Sequence, residues 1–223
     1  LLSAYMRKHK GDSGIVYALS RKSVDELAER LQSDGFSALP YHAGMDTAAR
    51  NRHQEQFIRD EVKVIVATIA FGMGIDKSNV RYVIHYDLPK NIEGYYQETG
   101  RAGRDGLRSE AVLYYSNGDV FKLKRFAEVE GNPNQTRIML GKLNKMVDFC
   151  ESNGCRRKYL LNYFGEDFQD YCGTCDVCLS SYERTDGTII AQKALSAVLQ
   201  TGERFGISYV TGILRGSRGE KIS

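Results

Sequence analysis

Strand-length apolar runs alternate with amphipathic helical stretches through the first 115 residues, and this alternation narrows the folds open to the chain. Residues 13–20 form a short apolar run. The stretch after it carries Val24, Leu27, Ala28 and Leu31 on one helical face and stops near Gly35. A second strand is expected over 37–42. Asp46 is a plausible N-cap for a helix running through Phe57 and Ile58. Residues 62–67, VKVIVA, are almost continuously apolar, as suits a strand covered on both faces. Residues 81–86 repeat the pattern, 92–99 read as helix, and 110–115 close the series. Strands alternating with helices build βαβ units, so the expected fold is α/β, a parallel sheet with helices on both faces.

Beyond residue 117 the pattern turns helical. Helices are expected over 119–129, over 134–151 with Met139, Leu143, Met146, Val147 and Cys150 on one stripe, and over 156–164. A loop rich in Gly, Asp and Cys follows. A helix over 188–199, a break at Thr201-Gly202 and a short helix after Phe205 end the series. The expected domains are 1–116, 117–181 and 182–223, the last too short to close a core of its own. Leu1 is not a methionine, so the chain is expected to be a piece of something longer. No stretch approaches 18 consecutive apolar residues, which excludes a membrane-spanning helix. The net charge of +3 describes no basic arm, so any nucleic acid is held by placed residues and not by bulk charge.

The most informative string is 97–106, QETGRAGRDG. Arg101 and Arg104, separated by small residues, can project from one helix end toward one point, and the glycines allow close approach. A guanidinium presents a planar fork of donors that fits phosphate oxygens and keeps its charge. Supplied across a cleft, it stabilises charge spreading onto a transferred phosphoryl group. The bland alternative is an Arg-rich helix end making surface ion pairs. A second string, 67–76, ATIAFGMGID, follows the buried strand directly. Thr68 could offer a hydroxyl to a phosphate there. Asp76 could accept from a ribose hydroxyl or orient an arginine, or it could be a simple turn cap. No G-x-x-x-x-G-K-[ST] occurs in the 223 residues, and no D-E-x-H string, so this sequence has no loop to cradle β- and γ-phosphates.

Four of the five cysteines cluster. Cys155 precedes Cys172-x-x-Cys175-x-x-Cys178 by sixteen intervening residues. Four thiolates with no open position describe a structural zinc site, and binding there supplies folding energy directly. Cys150, on the apolar stripe, is either an alternate ligand or a packed core thiol. Arg156 and Arg157 could touch DNA phosphates or cap helix carbonyls.

The strings FGMGIDK (71–77), HYDLP (85–89) and YYQETGRAGRDG (95–106) together resemble motifs of the second RecA-like domain of superfamily 2 helicases, and specifically of the RecQ family. DEAD-box RNA helicases look less similar, having His and Arg where this chain has Gln97 and Glu98. The segments at 15–21 and 41–45 resemble the family's motif IV region and the strand–turn that follows it. The cysteine segment resembles the RecQ zinc-binding domain, and 191–217 the start of its winged-helix domain.

The resemblance implies an ATP-dependent 3′-to-5′ DNA helicase, bacterial and cytoplasmic, associated with the nucleoid. It makes Arg101 and Arg104 an arginine-finger pair for the γ-phosphate and puts Gln97 at the interface between motor domains. Gly74 and Asp76 fall beside the nucleotide, while Ser20, Arg21, His42 and Thr68 hold phosphates of single-stranded DNA. For His42 the competing reading is structural, since a histidine beside a turn is more often a satisfied structural residue. ATP and Mg²⁺ would be bound jointly with a first RecA-like domain in cis, and single-stranded DNA and a duplex junction would be the partners. The competing class is a non-catalytic, zinc-stabilised DNA-binding or scaffold module. An RNA-directed helicase is disfavoured by the resemblance alone.

Overall fold

The computed structural model describes residues 1–69, 71, 76–180 and 185–217. The chain divides into two compact units, Leu1–Cys178 and Leu179–Ser223. The first unit holds, among its described residues, β1 (Ser13–Tyr17), β2 (Ala38–Tyr41), β3 (Val64–Ala67), β4 (Val80–His85) and β5 (Glu110–Leu113). They form one sheet in the order β2-β3-β1-β4-β5, with every neighbouring pair parallel.

Parallel neighbours require crossovers, and among the described residues helices lie in those between β1 and β2, β2 and β3, and β4 and β5. Val16, Ala18, Val64, Val66, Tyr82 and Ile84 pack against α1 (Leu2–Lys8) and α2 (Arg21–Ser33). Their alternates Ile15, Tyr17, Ile65, Ala67 and Val83 pack against Phe57 of α3 (Thr47–Ile58) and against Phe71. The apolar face expected for α2 is the buried one: Val24, Leu27, Ala28 and Leu31. Asp46 caps α3, accepting from the N–H groups of Ala48 and Ala49. Helix α1 escaped the sequence reading because it is seven residues long. Only Leu2 and Met6, one turn apart, mark its buried side.

Helices α4 (Ile92–Thr99), α5 (Asn117–Ala127) and α6 (Pro133–Glu151) share a third core of Leu88, Ile92, Tyr95, Leu123, Leu143, Met146 and Phe149. The helical segment is therefore packed onto the sheet half. Helices α7 (Arg156–Tyr163) and α8 (Asp176–Leu179) follow it. In the second unit α9 (Thr188–Gln200) and α10 (Ile207–Leu214) pack together, with Phe205 stacked on Tyr209 at 4.0 Å between ring centroids. No helix among the described residues is long and apolar enough to cross a membrane.

Gly14, inside β1, has no room for a side chain. A Cβ there would lie 1.9 Å from the Tyr82 ring, which is itself 1% exposed. Gly14→Ala is expected to cost about 1–3 kcal/mol through forced displacement of that ring. Urea unfolding of the two forms measures it.

Candidate functional site

Where α4 ends, the chain makes a tight turn that decides which way its arginines face. Gly103 sits at φ +69°, donates its N–H to Val80 O at 3.0 Å, and would place a Cβ 2.6 Å from Ser109 Oγ. Only glycine fits that combination of backbone and space. Asp105 then receives both short bonds of Arg81 Nη2, 2.6 Å to each oxygen, which pins the loop to the amino end of β4. Those Arg81 bonds hold the Asp105 carboxyl below the usual carboxylate range.

The two arginines part company across this turn. Arg101 follows Glu98 by three residues and shares its inward face, so it is buried at 9% exposure, its Nε without a hydrogen-bond partner. It lies near the Tyr17 hydroxyl. Burial drives that hydroxyl's pKa up and Glu98 adds to the rise, while Arg101 and Arg104 oppose it. Arg104, past the turn, is open to solvent. Its Nη1 stands 3.5 Å from Asp76 Oδ1 and its Nε donates to Gly100 O at 3.4 Å. Gln97 is exposed as well. Arg104 and Asp76 thus meet, with Asp76 carried from the carboxyl end of β3 to the amino side of β4. Gly74 lies outside the described residues.

The residues expected to hold DNA gather elsewhere. Ser20, His42 and Thr68 follow β1, β2 and β3, so three parallel strands deliver them to one edge. Thr68 N–H donates to Tyr41 O at 3.3 Å. Ser20 is the N-cap of α2, its Oγ accepting from Ser23 N–H at 3.0 Å. His42 is 6% exposed with both nitrogens engaged: Nδ1 accepts from Gly44 N–H at 3.1 Å, and Nε2 faces Asp25 Oδ1 at 2.9 Å. An acceptor at Nδ1 puts the ring proton on Nε2, donating to Asp25. Arg21 lies over Gly44, where a Cβ would fall 2.9 Å from its Cδ. Ser20, Arg21, His42 and Thr68 therefore share one edge, and the exposed Arg21 supplies the cation there.

Cys155, Cys172, Cys175 and Cys178 bring their sulfurs within 4.8 Å of one another, and Cys172 and Cys178 stand 3.8 Å apart. Four sulfurs each about 2.3 Å from a tetrahedral zinc are about 3.8 Å apart, so the cage has the right size. Backbone N–H groups already point at the sulfurs: Cys172 to Cys155 at 3.3 Å, Cys175 to Cys172 at 3.3 Å, Cys178 to Cys175 at 3.4 Å.

Burial resists ionisation of Cys172, but the Thr174 hydroxyl and the N–H groups of Thr174 and Cys175 bring its pKa down to about 5. Cys178 goes the other way, to about 12, through burial and its neighbouring thiols. Four thiols this close cannot all ionise unless a cation joins them. The set fits a structural zinc ion. Cys150 stands apart, packed against the third core, its thiol pushed up to about 12 by burial. Arg156 is a cap: Nη1 donates to the carbonyls of Phe149, Cys150 and Ser152, while Nε and Nη2 grip Asp176 at 3.0 and 2.9 Å.

Two buried polar pairs were not foreseen. Lys77, 4% exposed, is an ion pair 3.0 Å from Asp60, which also takes bonds from Ser13, Lys63 and Asn79. Burial alone would raise the Asp60 pKa. Lys63, Lys77, Ser13 and Asn79 reverse that and hold it far below the usual range. His85, 1% exposed, meets Glu98 with Nε2 2.7 Å from Oε2. Both members of that pair stood inside strings already singled out, but which polar residue of a motif turns inward is set by tertiary packing.

Residues 1–106 match the family described as helicase conserved C-terminal domain, 117–179 the RecQ zinc-binding family, and 181–223 the RQC domain. The ATP-dependent DNA helicase RecQ of Haemophilus influenzae is 50% identical over 221 residues, covering 99% of this chain and 36% of that protein. Its namesake in Bacillus subtilis is 42% identical over 221 residues, covering 99% and 37%. The RecQ-like DNA helicase BLM of Xenopus laevis is 42% identical over 242 residues, covering 97% and 18%. The chain thus spans little more than a third of the length of its bacterial relatives.

Proposed function

The chain belongs to the RecQ family, and from that premise we propose that it is one wall of the nucleotide pocket of an ATP-dependent DNA helicase. The other wall would be a P-loop-bearing RecA-like domain acting in cis, with ATP and Mg²⁺ held jointly between the two. The observation that carries this reading is the exposed Arg104, turned outward by the Gly103 bend and set 3.5 Å from Asp76, with Gln97 open to solvent on the helix leading into it. In this reading Arg104 makes the first contact with the γ-phosphate, and Arg101 completes the pair as the cleft closes. Gln97 meets the opposing domain, and Asp76 orients Arg104 beside the nucleotide, with Gly74 two residues before it in the sequence.

Single-stranded DNA would run across the edge formed by Ser20, Arg21, His42 and Thr68. Arg21 supplies the charge there, and His42 holds the turn beneath it. Hydrolysis that opens and closes the cleft moves the strand 3′ to 5′ toward a duplex junction. DNA repair and recombination in the bacterial cytoplasm, at the nucleoid, are the setting this membership implies. Structural zinc at the four cysteines holds the helical segment.

The 223 residues contain no loop that could cradle the β- and γ-phosphates, so this chain alone is expected to release no phosphate from ATP, with or without single-stranded DNA. A malachite-green or coupled assay measures it. Robust turnover by the isolated chain would overturn the half-site reading.

A further inference from the structure

Helix α4 is the lever that carries the arginine segment, and it is gripped from two sides. On its inner side Glu98 is tied to His85 at the end of β4 at 2.7 Å, both side chains buried, with Tyr17 stacked on the imidazole at 5.3 Å. On its outer side three side chains of the helical, cysteine-bearing segment hold it. Lys142 Nζ reaches Glu93 Oε1 at 2.8 Å, Phe149 lies 5.3 Å from Tyr95, and Phe164 lies 4.8 Å from Tyr96, between ring centroids. Tyr95 in turn lies 5.0 Å from the His85 ring, so the two grips meet.

The outer grip is itself anchored to the cysteine cage. Arg156 caps the end of α6 at Phe149, Cys150 and Ser152, lies over the Phe149 ring at 5.7 Å, and is bound to Asp176 between Cys175 and Cys178. An unbroken line of contacts therefore runs from the metal loop through Arg156, Phe149 and Tyr95 to α4 and the arginine turn.

We propose that the cysteine-bearing helical segment is a positioning element for the arginine turn. Lys142, Phe149 and Phe164 fix α4 from outside as His85 fixes it from inside. Turnover at a nucleotide contacted by Arg104 then depends on side chains that never touch it. The inference rests on the proposed role of Arg104. The physical reason is distance sensitivity: a shift of about 1 Å in a positioned group can lower a rate on the order of a hundredfold. Helix α4 has only eight residues and few buried side chains of its own to resist such a shift.

The test is a double-mutant cycle in the full-length protein, read as ATP turnover at saturating single-stranded DNA, with zinc content measured for each form. Phe149→Leu is expected to lower kcat about tenfold, with KM for ATP changed less than about twofold and zinc retained. In an Arg104→Ala background the same change should have almost no further effect, because the group it positions is gone. Lys142→Met, at a half-exposed pair, repeats the cycle without touching the core and decides the matter if Phe149→Leu does not fold. Losses that multiply in full in the Arg104→Ala background would overturn the proposal, as would unchanged kcat with zinc retained. If Arg104→Ala alone leaves turnover unchanged, the role given to Arg104 fails first, and the cycle shows that separately.

Discussion

Arg104→Ala in the full-length protein is expected to lower DNA-stimulated ATP hydrolysis about a thousandfold or more, the scale seen when an arginine finger is withdrawn. Binding of single-stranded DNA should change less than about twofold. The asymmetry follows from where the residue sits. Arg104 is 39% exposed, and the Asp76 carboxylate 3.5 Å away is 93% exposed, so their pairing adds little to stability. Residues expected to hold DNA lie at the carboxyl edge of β1, β2 and β3, whereas Arg104 leaves a turn bonded to Val80 at the start of β4. Arg104→Lys should recover only a small part of the rate, since an ammonium offers a point charge without the planar fork. Phosphate release and fluorescence anisotropy separate the two activities. Undiminished turnover in Arg104→Ala would favour the scaffold reading of the chain.

Removing the metal should have the largest effect on structure. Helix α7 and helix α8 bury no residue, and Phe164 and Tyr171 are 46% and 62% exposed. Apolar packing of the segment from Arg156 to Leu179 is limited to the half-buried Tyr159, Leu160 and Tyr163 against the third core and to Phe164 on Tyr96. Structural zinc contributes roughly 10–16 kcal/mol of apparent binding energy in small cysteine-ligated folds, far more than that thin packing can supply.

Cys172→Ser keeps the volume and removes one thiolate. It is expected to take zinc content from one per chain to near zero and to expose Arg157 and Lys158 to trypsin. The sheet half should stay folded, because its two cores draw on Ile15, Val16, Ile65, Val66 and Val83 and, among the described residues, on none beyond Tyr114. Metal analysis, limited proteolysis and circular dichroism give the answer together. A variant that remains protease-resistant without zinc would show that packing, and not the ion, holds the segment.

The strands, the long helices and the α2 face were legible because they obey short periods. Residues two apart share a sheet face and residues three or four apart share a helix face, so burial leaves a trace in the order of side chains. The boundaries of α4, Ile92–Thr99, follow from Asn91 as cap and from the glycine after Thr99. The four cysteines were legible for a different reason, since spacing alone limits which sulfurs can meet. Helix α1 left too few residues to show a period. Loop residues gave identity without direction: Asp76 and Thr68 share one string, yet the chain carries them to opposite ends of the sheet.

Sequence by itself determined the class of fold, the cage of four thiols and the family, because each is written in local spacing or in contiguous strings. Tertiary structure alone decided which arginine faces solvent, that His42 is engaged at both nitrogens, and that Arg156 is a cap and not an open cation. It also alone joined Glu98 to His85 and Lys77 to Asp60. The physical reason is that a polar side chain near a turn has several partners within reach. The choice among them is settled by which groups burial would otherwise leave unpaired, and that depends on residues far away in the chain.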